Sequence, residues 1–346
     1  MLIRSAWRQE WPVELNCSFA PTIATPDHIA LAEQLGYSRA FVFDSPALYA
    51  DPAATIALAA TRTNRIKLGI AVLTAHARHL VTNASMLAHL ATLAPGRLEI
   101  GVGTGFTSAV LLGRRPSRWS EVEQYVGALR ALLAGAEVEW EGRVVGLLHG
   151  AASGVRLPVD IPVWVAAEGP KGWATADRLG AGLITNPSHG HNAESGRIGI
   201  PEVAGPVLAS DHGTVLADGE TVASPRVIAA AAPSAALSFH FGDQGPLAGT
   251  PELARHQAVI GEVDETRRHL ALHRGHLIEP NDVDLKFMTP EVIGRAATIR
   301  TREGWAEYLT DLKKAGAAGV LYQPAGPDIP YELNAFREAA SLVLES

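Results

Sequence analysis

The feature that most constrains this chain is an alternation that runs without interruption as far as residue 186. Apolar runs at 13–21 (VELNCSFAP), 39–45 (RAFVFDS), 66–74 (IKLGIAVLT), 97–105 (RLEIGVGTG), 161–167 (IPVWVAA) and 181–186 (AGLITN) are separated by helical segments. A strand that is apolar on both faces is buried on both, and such strands joined through helices lie parallel. Six β/α units with much of the chain still to come favour a closed (β/α)8 barrel over an open sheet. The helix signals agree. Thr25 stands at an N-cap with Pro26 at the first helical position and Gly36 past the end. Further helices are expected over 51–63, 80–94, 118–134 and 171–179, and VEWEGRVV (138–145) reads as a hairpin inserted on the rim after strand four.

The second half is less regular. Residues 187–201 are rich in Gly, His, Asn and Ser, which predicts a loop or lid after strand six. Strand seven is expected within 203–216, and a helix from Ser224-Pro225 to about Phe241 with a kink at Pro233. Residues 249–284 are polar and partly helical and read as an excursion before the last β/α unit. AGVLYQPAG (318–326) is the final strand and a closing helix begins near Tyr331. No linker marks a second domain, so one barrel domain over 1–346 is expected.

Composition removes several function classes. The chain is 47% hydrophobic and 19% charged, enough to bury a large core. Its formal charge of -7 and lack of a basic run argue against nucleic-acid binding. A single cysteine, Cys17, excludes an internal disulfide and a cysteine-built metal site. No run approaches the ~20 apolar residues of a membrane span and the N-terminus carries no apolar signal core, so a cytoplasmic protein is expected.

In such a barrel the chemistry gathers where the strands end. That brings together Asp44-Ser45, Thr74 to His79, Thr104 to Thr107, Glu168 to Gly172, Asn186 and Gln323 to Gly326. EGPKGW (168–173) passes from a strand straight into a helix, so its backbone N–H groups and the side chain of Lys171 form an anion site suited to a phosphate. Gly169, Pro170 and Gly172 complete that turn. GVGTG (101–105) has neither the spacing nor the position of a dinucleotide fingerprint, and its glycines, with the Thr104 hydroxyl, would let a ring or phosphate lie against strand four. Asp44 closes an apolar strand and is either a site residue or a turn cap. His76 and His79, His189 and His191, and His273 and His276 occur in pairs, but none has a carboxylate at ligand spacing, so no metal is expected. His79 reads as a hydrogen-bonding or ring-contact residue; His240 could belong to core or rim.

These residues resemble a family, the bacterial luciferase-like flavin oxidoreductases, which includes alkanal monooxygenases and F420-dependent methylenetetrahydromethanopterin reductases. The matching segments are AEQLGYSRAFVFDSPALY, DPAATIALAATRTNRIKLGIAVL, ARHL, LAPGRLEIGVGTGFTS and IPVWVAAEGPKGWATADRLGAGLIT, with RHLALHRGHL and GVLYQPAGPDIPYELNAF toward the C-terminus. The resemblance implies a barrel that binds FMN or the deazaflavin F420 at its C-terminal rim. It implies that Gly103 and Thr104 approach the flavin, that Glu168, Gly169 and Gly172 lie at its phosphate, and that Ala71–Val72 is a non-prolyl cis peptide behind the ring. Two departures stand out. Thr104 occupies the position of a phosphate-binding arginine, leaving the charge to Lys171, and Ser45 replaces the histidine of many F420-using relatives.

The leading expectation is a monooxygenase using O2 and reduced FMN from a separate flavin reductase. Asp44 and His79 would serve the chemistry, and Phe106, Trp119 and the 187–201 loop would shape the pocket for a small-molecule substrate. An F420-dependent hydride-transfer reductase or dehydrogenase is the alternative, and a flavin-binding relative without catalysis a third. The family also implies a homodimer built on helices of the N-terminal half.

Overall fold

The computed structural model describes residues 13–187 and 198–344, so most of the expected 187–201 lid, with His189 and His191, lies outside the described residues. The first half runs β1 (Glu14–Phe19), α1 (Thr25–Gln34), β2 (Arg39–Val42), α2 (Pro52–Arg62), β3 (Lys67–Leu73), α3 (Leu80–Leu93) and β4 (Leu98–Val102). It continues through α4 (Phe106–Leu111), α5 (Trp119–Leu133), the hairpin β5 (Val138–Trp140) and β6 (Arg143–Val145), then β7 (Val163–Ala166), α6 (Pro170–Leu179) and β8 (Gly182–Thr185). The second half holds β9 (Val207–Leu216), α7 (Pro225–Ala235), α8 (Leu237–His240), α9 (Pro251–Gly261), α10 (Arg268–Leu272), α11 (Asp282–Leu285) and α12 (Pro290–Ala296). It ends with β10 (Thr298–Thr301), α13 (Arg302–Ala315), β11 (Gly319–Gln323) and α14 (Ile329–Leu344).

Eight strands pair in parallel in the order β1-β2-β3-β4-β7-β8-β9-β11, and β11 returns to β1. The sheet is therefore the closed (β/α)8 barrel expected from the alternation. Most helix ends follow from local chemistry. Asp51 caps α2 by accepting from the Ala54 N–H at 2.9 Å, ahead of Pro52 at the first helical position. The helix α1 departs from expectation by one residue: it starts at Thr25, whose hydroxyl instead accepts from the Thr22 N–H at 2.8 Å.

Two differences lie in the second half. The expected strand seven is β9, and only its first half belongs to the barrel. Gly213 to Leu216 run beyond it and pair with β10, a strand too short and too exposed to stand out in the sequence. The expected kinked helix is two pieces: α7 ends at Ala235, two residues after Pro233, and α8 carries the chain to His240. Among the described residues, no helix is long and apolar enough to cross a membrane.

The barrel interior explains the glycines. Trp164 on β7 stands in register between Gly101 on β4 and Gly182 on β8, and a Cβ at Gly182 would lie 2.3 Å from its ring. Gly69 on β3 stands in register between Phe41 and Glu99, and a Cβ there would lie 2.3 Å from the Phe41 ring. Glu99 itself accepts from the Trp164 indole at 2.7 Å and from Arg39 Nε at 3.1 Å, while Arg39, at the start of β2, also pairs with Glu14 at the start of β1. The lower end is thus plugged by a hydrogen-bonded ionic cluster.

The contrast between two glycines is testable. A Cβ at Gly101 would come within 2.5 Å of the Ala71 Cβ, whereas Gly127 inside α5 has nothing within 4 Å. Gly101→Ala should lower stability by about 1–3 kcal/mol through overpacking, and Gly127→Ala should raise it by about 0.5–1 kcal/mol through backbone entropy. Thermal unfolding of the two variants, with shifts of opposite sign, checks both.

Candidate active site

At the C-terminal end of the barrel a cavity of about 430 Å³ opens above this packed interior. Each of the eight barrel strands, or the residue directly after it, contributes to its lining. The floor is apolar: Phe41, Ala71, Ile184 and Leu321 pack together in the barrel. The walls carry apolar side chains, among them Phe43, Leu237, Phe241 and Leu277, together with polar ones. Asp44 Oδ1, Thr74 Oγ1, Ser108 Oγ and Gln323 Nε2 are buried without a hydrogen-bond partner among the described residues, and all four residues line the cavity. His240 Nε2 is a fifth such atom on the same cavity, and since buried polar atoms are nearly always satisfied in native proteins, the group marks a place where ligand or water completes the bonding.

Asp44 is 3% exposed, and its other oxygen, Oδ2, accepts a hydrogen bond from Arg78 Nη1. Arg78 also reaches Asp51 at 3.5 Å. Burial pushes the Asp44 carboxyl above its ordinary range, and the Arg78 guanidinium opposes that shift. Sequence reading picked Asp44 and missed Arg78. The signal lay one residue before His79 in ARHL.

The GVGTG glycines serve the neighbouring strand more than a ligand. The Ala71–Val72 peptide is cis, and the pairing of β3 with β4 shifts register there. A Cβ at Gly103 would lie 2.9 Å from Val72 Cγ1, as one at Gly101 would meet Ala71. The glycines therefore make room for this bulge, while Ala71, Val72, Gly103 and Thr104 all face the cavity. Gly105, with φ of +71°, turns the chain into α4, and Phe106 stands at the mouth, 57% exposed.

The EGPKGW turn borders the cavity through Glu168. The helix α6 starts after Gly169 with no side-chain cap, so the positive end of its dipole is open to an anion, and Lys171 is exposed beside it. Gly172 is also required by packing: a Cβ there would strike Ala167 at 2.2 Å and the Trp119 ring at 2.7 Å. The Glu168 carboxylate accepts from the Asn186 N–H at 3.0 Å and the Thr185 hydroxyl at 3.0 Å, which ties the end of β7 to the end of β8. The low-polarity surroundings of that carboxylate raise its pKa to about 7 against those bonds.

Residues 20–319 match the family model described as luciferase-like monooxygenase. The chain belongs to this family. It is 26% identical to a 5,10-methylenetetrahydromethanopterin reductase of Archaeoglobus fulgidus over 87% of this chain and 90% of that one. It is 32% identical to an F420-dependent glucose-6-phosphate dehydrogenase of Beutenbergia cavernae over 58% of this chain and 62% of that one. A match to the corresponding reductase of Methanolobus tindarius, at 28% identity, spans 49% of this chain and 52% of that protein, so the chain spans only about half to three fifths of these last two relatives. Among solved structures, the F420-dependent tetrahydromethanopterin reductase of Methanopyrus kandleri superposes with a TM-score of 0.67 at 18% identity, covering 97% of this chain and 99% of that one. A monooxygenase from Streptomyces bottropensis gives 0.60 at 17% identity, covering 96% and 99%. At these identities the likeness to the solved structures is one of fold.

Two residues expected in the site of this luciferase-like chain lie elsewhere. His79 is exposed, does not line the cavity and caps α3, its Nδ1 accepting from the Val81 N–H at 3.2 Å. A ring at the N-cap position finds a free backbone donor two residues on, and this fixes it away from the pocket. Trp119 begins α5 and packs against Gly172, so it supports the α6 turn without lining the cavity.

In their place the cavity receives His240, His273 and His276. They arrive from the end of α8 and from the HRGH turn after α10. Burial, then the neighbouring His240 and His269, lowers His273 to about 4, and burial with His240 and His273 takes His276 well below the usual histidine range.

The Asp44–Arg78 pair generates a pH-dependent prediction. A carboxyl whose folded pKa lies above its unfolded value takes up a proton on folding, so stability falls as pH rises through that interval. Removing Arg78 raises the folded pKa further and widens the loss. Arg78→Met should therefore cost about 3 kcal/mol at neutral pH, and the gap from the parent protein should narrow as Asp44 protonates in acid. Unfolding midpoints of both proteins measured between neutral pH and pH ~4 give the test; a pH-independent gap would refute it.

Proposed function

We propose that this chain is a hydride-transfer oxidoreductase that uses the deazaflavin F420, the second of the two enzyme readings its sequence allows. The observation that carries a small-molecule site is the ring of unpartnered buried polar atoms above an apolar floor at the strand ends. Such a lining suits a flat ring laid on the floor with a polar substrate above it. Support for hydride transfer over oxygenation comes from the relatives: one is named an F420-dependent dehydrogenase, two others are reductases, and a fold neighbour is an F420-dependent reductase.

F420, when bound, supplies a hydride donor or acceptor; everything else falls to the chain. The Ala71–Val72 bulge and Gly103 would back the ring, and the uncapped α6 terminus with Lys171 would hold the phosphate in place of the arginine that Thr104 replaces. Hydride transfer at an alcohol or imine carbon must be matched by movement of a proton at the neighbouring heteroatom. Asp44, buried and oriented by Arg78 through one oxygen with the other unpartnered, is the group placed to hold that proton. Phe106 at the mouth would screen the site from water.

Anaerobic fluorescence titration of the full chain with F420 and with FMN, each oxidised and reduced, tests the reading. F420 should bind at least about tenfold more tightly than reduced FMN, a difference of about 1.4 kcal/mol. Lys171→Ala should weaken F420 binding several-fold while leaving the thermal midpoint unchanged. Tighter binding of reduced FMN would overturn hydride transfer and restore the monooxygenase reading.

A further inference from the structure

Three histidines that no expected role used converge on one point of the cavity wall. His276 Nδ1 lies 3.0 Å from His240 Nδ1 and 3.4 Å from His273 Nδ1, and a ligand atom from each of the three lies within 4.8 Å of the others. All are buried: His273 is 3% exposed, His276 8%, and the His240 side chain 4%.

Hydrogen bonding alone leaves this arrangement incomplete. A neutral imidazole nitrogen is either a donor or an acceptor. His276 Nδ1 faces two other Nδ1 atoms, so whichever form it takes, it serves one well and leaves the other facing it unmatched. An ion at the centre would use all three lone pairs together. The spacing suits one: four ligands at the ~2.05 Å of a zinc–imidazole bond stand about 3.3 Å apart along the tetrahedral edge, close to the 3.0 and 3.4 Å observed.

The surroundings also match a built site. Asp284, 1% exposed, places Oδ2 3.6 Å from His240 Nε2, the nitrogen opposite the converging one. Its Oδ1 lies 2.7 Å from His256 Nε2, and Oδ2 accepts from Asn281 Nδ2 at 2.8 Å. Asn281 Nδ2 in turn reaches the carbonyls of Leu272 and Arg274 at 3.3 and 3.4 Å, tying down the turn that carries His273 and His276. A carboxylate behind a coordinating histidine, itself hydrogen-bonded, is the outer-sphere arrangement that orients metal ligands.

We infer that His240, His273 and His276 form a site for a divalent transition metal of zinc-like preference, with its fourth position open to the cavity. Three neutral imidazoles favour zinc over magnesium or calcium, which take oxygen ligands. Three protein ligands with an open fourth position are the arrangement of a metal that binds water or a substrate oxygen. The ion would face the cavity that Asp44 and the Ala71–Val72 bulge also line, so an oxygen-bearing substrate would be held by the metal within it. This inference stands whichever flavin the protein uses.

The test uses the full chain without a polyhistidine tag, stripped with a chelator and titrated with Co2+ and then Zn2+ in the absence of any flavin. One equivalent of Co2+ should bind with the intense visible absorption of a four-coordinate ion and be displaced by one equivalent of Zn2+. His273→Gln and His276→Gln should each weaken binding about a hundredfold or more, and Asp284→Asn about tenfold or more. His79→Ala, which alters an exposed helix cap, should bind as the parent does. Absence of stoichiometric binding in the parent, six-coordinate absorption, or equal binding in the histidine variants would each overturn the site. Should a glutamine variant fail to fold, the titration of the parent decides by itself.

Discussion

The interior of a closed eight-stranded barrel has a fixed cross-section, and what fills it decides where the cavity can begin. Here one layer is built by opposing large side chains to none. Trp164 stands in register between Gly101 and Gly182, and Gly69 between Phe41 and Glu99. A side chain at any of these glycines would fall within 2.5 Å of Phe41, Ala71 or Trp164. The indole of Trp164 then reaches down to Glu99, which Arg39 also holds. The barrel is therefore solid below this layer and open above it, so a ligand entering from the C-terminal end stops on Phe41, Ala71, Ile184 and Leu321.

Above this floor the lining mixes apolar side chains such as Phe43 and Phe241 with polar ones. Asp44, Thr74, Ser108 and Gln323 come from four separate segments and leave buried atoms unpartnered on the same cavity. Desolvation of buried polar side chains gathered on one cavity is tolerated where a ligand or water restores the bonding. The Arg78 contact shows the same logic with a charge. It keeps Asp44 placed and partly compensates its burial, while leaving one oxygen toward the cavity.

Most of the barrel was legible in the sequence because strand burial on both faces and helix capping are local properties. β1, β2, β3, β4, β7, β8 and β11 fall inside the runs from which they were read, and Asp51 caps α2 through contacts within its own turn. The site was legible only where the barrel's geometry carried it. Asp44, Thr104 and Phe106 could be placed on the rim because any residue just past a barrel strand is there. Side-chain direction was not. His79 is on the rim but faces its own helix, while Arg78, one residue earlier, turns toward Asp44. Gly172 and Trp119 were read as ligand contacts, and the structure adds that they pack on each other, a relation between positions 53 residues apart that no local pattern encodes.

The histidines show the same limit in its strongest form. Ligand spacing along a chain is informative when one helix or one loop supplies the set, as in motifs with two ligands a turn apart. In this chain His240 comes from the end of α8, His273 and His276 from the turn after α10, and Asp284 from α11. Three short elements, the first separated from the other two by α9, must pack before the nitrogens meet. The stretch that brings them together is the polar excursion of 249–284, which adds nothing to the closure of the barrel. Its buried polar contacts run from Asn281 through Asp284 to His256 and to His240, which lines the cavity. An insertion that keeps a hydrogen-bonded carboxylate behind a cluster of imidazoles at the mouth of a barrel is best understood as part of the site, built onto a scaffold that already provides the floor.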